Sequence, residues 1–184
     1  MMNRDEIVAE VYKHIENKNL RKHTLAVEAV MRKLAQHFGD DEDRWGAAGL
    51  LHDLDYEQTK DDWTKHSQIS ADMVEKLGFD KEIVDAVRTH NEIHHLPRET
   101  MMAKALYCAD PLTGLVVAAA LVSPEKKLSG IDADFVMKRF GEKAFARGAN
   151  RDTIRACSEI GLELRDFVDL GVKAMQDISK ELGL

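Results

Sequence analysis

The sequence is poor in cysteine, and this scarcity excludes two ways in which small proteins are stabilised or bind metal. Cys108 and Cys157 are the two cysteines in 184 residues, and they form no CxxC pair. A disulfide framework needs more cysteines, and a thiolate zinc site needs clustered ones. A metal bound by this chain would therefore be held by histidine and carboxylate side chains.

Excess positive charge and long apolar runs are also missing. The chain has 26 Lys and Arg against 33 Asp and Glu, a net charge of -7, which argues against an RNA or DNA polymer as partner. The N-terminus lacks the apolar segment of a signal peptide, and the apolar run 115–122 is too short to span a bilayer. We expect a cytoplasmic protein with no nucleic-acid polymer and no membrane as partner.

Proline and glycine are rare, with three and eleven occurrences, and alternating strand patterns are scarce. Apolar residues recur at helical spacing along almost the whole chain, which predicts an all-α fold. We predict one domain over residues 1–184, in which the polar segment 123–132 separates a core of about 20–122 from C-terminal helices of about 131–184. The predicted helices cover about 5–16, 20–38, 41–52, 63–77, 81–90, 98–121, 132–146 and 151–181, the last with a break near Gly161 or Gly171.

The pair His52-Asp53 closes an apolar run over residues 45–51. Small and apolar residues of this kind are usually buried, and an unpaired buried polar group costs several kcal/mol. An imidazole and a carboxylate at the end of such a run must therefore be hydrogen-bonded or bound to a metal.

Four more polar residues, His23, His66, His90 and Asp110, share helical faces with apolar residues. A lone histidine in such a position is usually a satisfied core residue. Inward polar positions on five helices are more simply satisfied together by one metal centre. We therefore predict that the metal ligands are His23, His52, Asp53, His66, His90 and Asp110.

Imidazole and carboxylate ligands without thiolate suit divalent iron, manganese, cobalt, nickel or zinc. Six side chains are too many for one ion that keeps positions open for water and substrate, but they suit two ions that share Asp53 as a bridge. The pattern leaves open a site with one ion, in which His66 and His90 donate to phosphate instead.

These residues resemble a known signature. His23, the pair His52-Asp53 and Asp110 are similar to the H…HD…D motif of the HD-domain metal-dependent phosphohydrolase superfamily, including small bacterial HD hydrolases, over about residues 20–122. With His66 and His90 the order matches its dinuclear branches, among them dinucleoside tetraphosphate hydrolases. The resemblance implies an all-α helical bundle with one or two divalent ions, the first held by His23, His52, Asp53 and Asp110 and the second by Asp53, His66 and His90.

The implied function is hydrolysis of a phosphoester or phosphoanhydride by metal-activated water, with a nucleotide or another small phosphorylated metabolite as substrate. Asp53 is the first catalytic candidate. Many members carry glycine and a basic residue after the HD pair, whereas Leu54 and Asp55 stand here. Asp55 is the second catalytic candidate, either as a proton shuttle or as a support behind a ligand, and an exposed loop carboxylate is the alternative.

Four residues are candidates for substrate binding: Lys65, His94, Arg147 and Arg151. Lys65 directly precedes a predicted ligand, and His94 lies one helical turn beyond His90. The two arginines belong to a series of basic residues spaced by four, which has a solvated helix face as its alternative: Arg139, Lys143, Arg147, Arg151 and Arg155.

Two other functions fit the same residues. Some HD-fold proteins with six such ligands hold a diiron centre and are oxygenases. A non-catalytic regulatory module is the third hypothesis, although such modules usually lose ligands that are all present here. The apolar run 112–122 belongs either to the core or to a contact in a homo-oligomer.

Overall fold

The computed structural model describes residues 2–142 and 144–184, and within them the chain is helical without β-strands, which confirms the predicted all-α fold. Three short 3-10 turns, Glu92–His94, Leu128–Gly130 and Ala156–Ile160, connect helices. The helices are α1 Arg4–His14, α2 Lys18–Phe38, α3 Glu42–Leu51, α4 Tyr56–Thr59, α5 Gln68–Lys76, α6 Lys81–Thr89, α7 Met101–Val122, α8 Ala133–Phe140, α9 Arg151–Arg155, α10 Leu164–Asp177 and α11 Ser179–Leu182.

Side-chain caps set the starts of the four helices that carry or precede five of the six candidate ligands. α2, α3, α6 and α7 follow Asn17, Asp41, Asp80 and Thr100, whose side chains accept hydrogen bonds from the first-turn backbone. Each such cap contributes about 1 kcal/mol. Gly39 ends α2 with φ 70°, a conformation that glycine adopts without a steric penalty.

A close approach between α2 and α3 depends on Gly49. A Cβ added there would lie 2.8 Å from the backbone nitrogen of Glu28 and 2.9 Å from its Cα. Because backbone atoms cannot move aside like the end of a side chain, this crossing requires glycine. The approach places the end of α3, with His52, against the interior of the bundle.

α7 runs through the centre of the protein, packed against α2, α6, α8, α9 and α10. Its 22 residues include two charged side chains, Lys104 and Asp110. Among the described residues it is the one helix long and apolar enough, by length and composition alone, to cross a membrane, and 56% of its apolar window is buried inside the protein. The apolar helix is therefore longer than the run 115–122 from which the sequence analysis excluded a membrane, and that run does not support the exclusion.

Several predicted helix ends are wrong. α5 begins at Gln68 rather than near 63, because Ser67 has φ 73° and interrupts the helix, so His66 lies in a turn. α8 ends at Phe140 rather than near 146. The short helix α4 was not predicted at all.

The C-terminal helix predicted over 151–181 is divided at Gly161, one of the two predicted break positions. Gly161 has φ 78° and ends the 3-10 turn that follows α9. Gly171, the other position, lies inside α10, where a Cβ would lie 2.6 Å from Cδ2 of Leu112. It therefore allows α10 to approach α7 closely and does not interrupt the helix.

Candidate metal centre

All six predicted ligands lie close together at the centre of the bundle, where five different segments of the chain carry them. α2 carries one, the end of α3 carries two, the turn before α5 and the end of α6 carry one each, and α7 carries the last. In this order they are His23, His52, Asp53, His66, His90 and Asp110.

Asp53 lies between the four imidazoles, and its two oxygens face different pairs. Oδ2 lies 3.4 Å from Nε2 of His52 and 3.6 Å from Nε2 of His23. Oδ1 lies 3.5 Å from Nε2 of His66 and 3.6 Å from Nε2 of His90. This division of the two oxygens is the one a carboxylate needs to bridge two cations.

Asp110 completes the group on one side of Asp53. Its Oδ1 lies 3.1 Å from Nε2 of His23 and 3.9 Å from Nε2 of His52. Potential ligand atoms of His23, His52 and Asp110 all lie within 4.8 Å of one another, and the same holds for His52, Asp53 and His90. Donor atoms at this spacing can bind a common ion.

Backbone carbonyls orient two of the imidazoles. Nδ1–H of His52 donates to the carbonyl of Gly49 at 2.8 Å, and Nδ1–H of His90 donates to the carbonyl of Val87 at 2.7 Å. Because a carbonyl only accepts, the proton must be on Nδ1, so in the neutral imidazole each Nε2 carries its lone pair into the site. Such hydrogen bonds are typical of histidines that bind metal.

Side chains orient the other two imidazoles in the same sense. Nδ1 of His66 donates to Oδ1 of Asp55 at 2.7 Å. Nδ1 of His23 lies 3.1 Å from the hydroxyl of Thr113, which itself donates to the carbonyl of Asp110 and therefore accepts from His23. All four Nε2 atoms are thus directed towards Asp53.

Two of these nitrogens show that the residues fit a cation. Nε2 of His52 and Nε2 of His90 are fully buried and have no hydrogen-bond partner in the part of the chain that the structure describes. Leaving a buried polar atom unpaired costs about 1–3 kcal/mol. A divalent ion of the borderline type, which binds both imidazole and carboxylate, would satisfy both nitrogens at once.

The electrostatics of the site favour a cation as well. Burial opposes a charge on His52, but the neighbouring carboxylates of Asp53 and Asp110 outweigh it and raise the pKa of His52 to about 9. Burial likewise opposes ionisation of Asp53 and Asp110, yet the histidines hold the pKa of each carboxyl below its usual range. Two ionised carboxylates therefore lie in a mostly buried site, where they need positive charge nearby.

Asp55 supports His66 from behind and lies outside the cavity. Its side chain is fully buried, with Oδ1 accepting from His66 and Oδ2 accepting from the backbone N–H of Ser70 at 2.8 Å. Its own N–H donates to the Ser70 hydroxyl. Both oxygens are engaged, so the geometry favours support of a ligand over the proton shuttle or the exposed loop carboxylate.

The Asp55→Asn variant is expected to bind metal about 10 to 100 times more weakly than the wild type. Both oxygens of Asp55 accept from N–H donors, those of His66 and Ser70. The amide of the variant has one oxygen, so its NH₂ group must face one of these two donors and cannot accept from it. Metal affinity measured by competition with a chelator checks this. The exposed Asp61→Asn variant is the control, and equal affinity in the two variants would show that Asp55 does not support the site.

A cavity of about 430 Å³ opens above the cluster. Five of the six candidate ligands line it, whereas His52 is completely buried beneath. No lysine or arginine is among its lining residues in the described chain. The other lining residues are Leu20, Tyr56, Trp63, Asn91, Glu92, Tyr107, Pro111, Gly148, Asn150 and Thr153.

None of the four predicted substrate contacts lies in this cavity. Lys65 is exposed and pairs with Asp62 at 2.9 Å. His94 belongs to a 3-10 turn rather than to an extension of α6, and its Nε2–H donates to the carbonyl of His66 at 2.8 Å. The helical-turn argument for His94 is therefore wrong, because α6 ends at Thr89.

The two arginines have other positions as well. The guanidinium of Arg151 donates to the carbonyls of Phe140, Phe145, Ala146 and Ala149, so it holds the segment before α9 together, and it does not line the cavity. Arg147 is exposed and does not line the cavity. The predicted basic helix face is interrupted between α8 and α9, and Lys143 lies outside the described residues.

The C-terminal part of the chain contributes to the site through uncharged residues instead. Gly148, Asn150 and Thr153, before and within α9, form part of the cavity wall. Their sequence carries no motif that identifies them. Trp63, three residues before His66, is the cavity residue that the sequence analysis could have found. A tryptophan among polar residues is unusual unless it packs against other side chains or binds a ligand.

Comparison with known proteins agrees with the site. A family model described as HD domain matches residues 20–121, more than half of the chain. This range contains all six candidate ligands and ends within α7.

Curated relatives named ribonuclease Y share sequence with the chain. The protein of Oleidesulfovibrio alaskensis is 32% identical over 56% of this chain and 20% of its own length. That of Sulfurovum sp. is 28% identical over 77% of this chain and 28% of its own length. That of Thermotoga petrophila is 27% identical over 93% of this chain and 33% of its own length. The chain thus spans about a fifth to a third of the length of these relatives.

These names overturn the prediction about partners. Net charge had been taken to exclude a nucleic-acid polymer, but the relatives are named as nucleases of RNA. Net charge averages over the whole surface and does not describe a cleft in which bound cations supply the positive charge. The prediction that no nucleic-acid polymer is a partner is therefore wrong, whereas a small phosphorylated substrate stays a prediction.

Proposed function

The chain belongs to the HD-domain family, and on this basis we propose that it is a metal-dependent phosphohydrolase that cleaves phosphodiester bonds in ribonucleotide chains. The observation that carries the proposal is the convergence of four Nε2 atoms and two carboxylates on the floor of an open cavity. The name shared by the relatives supports RNA as the substrate class.

His23, His52, Asp53 and Asp110 would hold one ion, and His66 and His90 would hold a second through the other oxygen of Asp53. Bound divalent ions supply an acidified water molecule as nucleophile and neutralise charge on the phosphoryl group. The protein's part is to fix the tautomer and direction of each imidazole, through the Nδ1 hydrogen bonds of all four histidines.

The cavity wall favours a phosphodiester over more highly charged phosphate groups. A diester carries one negative charge, whereas a terminal phosphate or a polyphosphate carries more and is usually bound by lysine or arginine. The described cavity lining contains neither. A substrate with one charge per phosphate therefore needs no cation beyond those of the metal site.

Tyr56 is the neutral donor that we assign to the phosphoryl group. It lines the cavity, and burial together with the charges of Asp53 and Asp110 raises the pKa of its hydroxyl. The hydroxyl therefore keeps its proton at neutral pH and can donate a hydrogen bond to a phosphoryl oxygen.

Cleavage of an oligoribonucleotide by the metal-loaded protein tests the function. After treatment with a chelator the protein is expected to be inactive, and manganese, iron, cobalt, nickel or zinc should restore cleavage of a labelled single-stranded oligouridylate. The product ladder is measured on a gel, with bis(p-nitrophenyl) phosphate as a second diester. Hydrolysis of neither substrate with any of these metals would contradict the proposal.

The same assay under anaerobic conditions separates hydrolysis from the oxygenase alternative. Hydrolysis needs no dioxygen, so the rate should be the same with and without it, whereas an oxygenase would stop.

Cytoplasmic localisation, a homo-oligomer and the division into a core and C-terminal helices stay predictions.

A further inference from the structure

A second cavity of about 790 Å³ continues from the metal cavity to the surface. The two share four lining residues, Trp63, Asn91, Glu92 and Tyr107. We call the second cavity the outer groove, and its remaining lining residues are Ile93, His95, Leu96 and Arg98. It adds the feature that the metal cavity lacks, a lysine or arginine side chain, and it shares the exposed aromatic ring of Trp63.

Trp63 lies where the two cavities meet, and 43% of it is exposed. Its ring packs at 5.3 Å from the ring of Tyr56 and at 5.2 Å from the imidazole of His66. These contacts hold a large aromatic surface next to a candidate ligand. An exposed tryptophan that is fixed in this way is suited to stacking on a flat ligand.

Arg98 is the one lysine or arginine among the described residues that line the two cavities. Its guanidinium lies over the ring of Tyr107, with Cζ 3.6 Å from the ring centre, and Nη1 reaches the carbonyl of Thr89 at 3.4 Å. It forms no ion pair within the described chain. A guanidinium held in place without a carboxylate can contact a phosphate.

We propose that the outer groove binds the nucleotide adjacent to the cleaved bond, with its base stacked on Trp63 and its phosphate contacting Arg98. This assignment rests on the proposed function and makes the substrate a chain rather than a mononucleotide. Glu92, the acidic residue of the groove, is turned towards the hydroxyl of Tyr107 and the amide of Asn150. The groove therefore presents aromatic surface and one cation, which match an unpaired base and a phosphodiester.

Tryptophan fluorescence measures binding to the groove independently of cleavage. A slowly hydrolysed 2′-O-methyl phosphorothioate oligouridylate is titrated into the metal-loaded protein, and saturable quenching is expected. Trp45, the other tryptophan, is completely buried, so Trp63→Phe should abolish the quenching and, as an aromatic residue, retain binding. Equal quenching in this variant, or no saturable binding by the wild type, would overturn the proposal.

Cleavage of a substrate that lacks one base distinguishes two roles of Trp63, stacking on that base and packing against His66. The wild type should prefer oligouridylate about tenfold over the same chain lacking the base beside the cleaved bond, and Trp63→Leu should lose this preference. An equal loss of activity on both substrates would mean that Trp63 only supports His66, and the groove assignment would be wrong. Saturable, Trp63-dependent binding without any cleavage would support the groove and contradict the proposed hydrolase.

Salt dependence tests Arg98 by itself. The Arg98→Gln variant should weaken oligonucleotide binding and lower the slope of log affinity against log salt by about one. The control is Arg147→Gln, because Arg147 is exposed and lines neither cavity. An unchanged slope in Arg98→Gln would overturn the phosphate contact.

Discussion

The Asp53→Ala variant is expected to lose bound metal and at least about a thousandfold in metal-dependent cleavage. Asp53 is the one residue of the cluster whose two oxygens face both pairs of imidazoles, at 3.4–3.6 Å. Its removal leaves Asp110 as the carboxylate of the cluster. Elemental analysis of the purified variant and its turnover of oligouridylate measure the effect.

A neighbouring carboxylate provides the control for this variant. Asp62 is half-exposed and pairs with Lys65 away from the cavity, so Asp62→Ala should keep its metal and its activity. His52→Ala should resemble Asp53→Ala, because Nε2 of His52 faces both carboxylates. Full turnover with bound metal in either ligand variant would show that the pair His52-Asp53 has been assigned wrongly.

The Gly49→Ala variant is expected to lose about 3 kcal/mol of folding stability and to lower Tm by about 6–12 °C. The added Cβ would lie within 3.0 Å of three backbone atoms of Val27 and Glu28, so α2 and α3 must separate. The carbonyl of Gly49 also orients His52, so metal affinity should fall together with stability. Thermal unfolding and chelator competition measure the two effects.

Gly114 is a matched control inside another helix. A Cβ added there has no atom within 4 Å, so Gly114→Ala should change stability by roughly 0.5–1 kcal/mol in the opposite direction, since alanine favours the helix. If Gly49→Ala were as stable as Gly114→Ala, the close crossing of α2 and α3 would not be what places His52.

The helices and the identity of the clustered residues followed from local patterns in the sequence. Apolar spacing identified α2, α6 and α7 to within three residues at each end, because strongly amphipathic or apolar helices have a clear pattern in the sequence. The ends of α5 and α8 were missed. The start of α5 depends on the positive φ of Ser67, and the chain after Phe140 is held by hydrogen bonds from Arg151 to backbone carbonyls, and neither has a local signal.

The candidate substrate contacts, in contrast, could not be predicted from local patterns in the sequence. Charge and spacing selected Lys65, His94 and Arg151, but each of them satisfies a nearby carboxylate or carbonyl in the folded chain. A basic residue in a sequence carries no information about which acceptor it will reach. Trp63 and Arg98 are 35 positions apart in the sequence, and only the fold brings them to the lining of one groove.

The sequence by itself determined that this chain is helical, and it predicted that four imidazoles and two carboxylates lie inside the bundle, because helical periodicity and the cost of burying polar groups act over a few residues. The tertiary structure alone decided that each oxygen of Asp53 faces a different pair of imidazoles, that Asp55 supports His66, and that the described cavity wall has no lysine or arginine. These features depend on how distant segments pack against each other, and packing is a property of the whole folded chain.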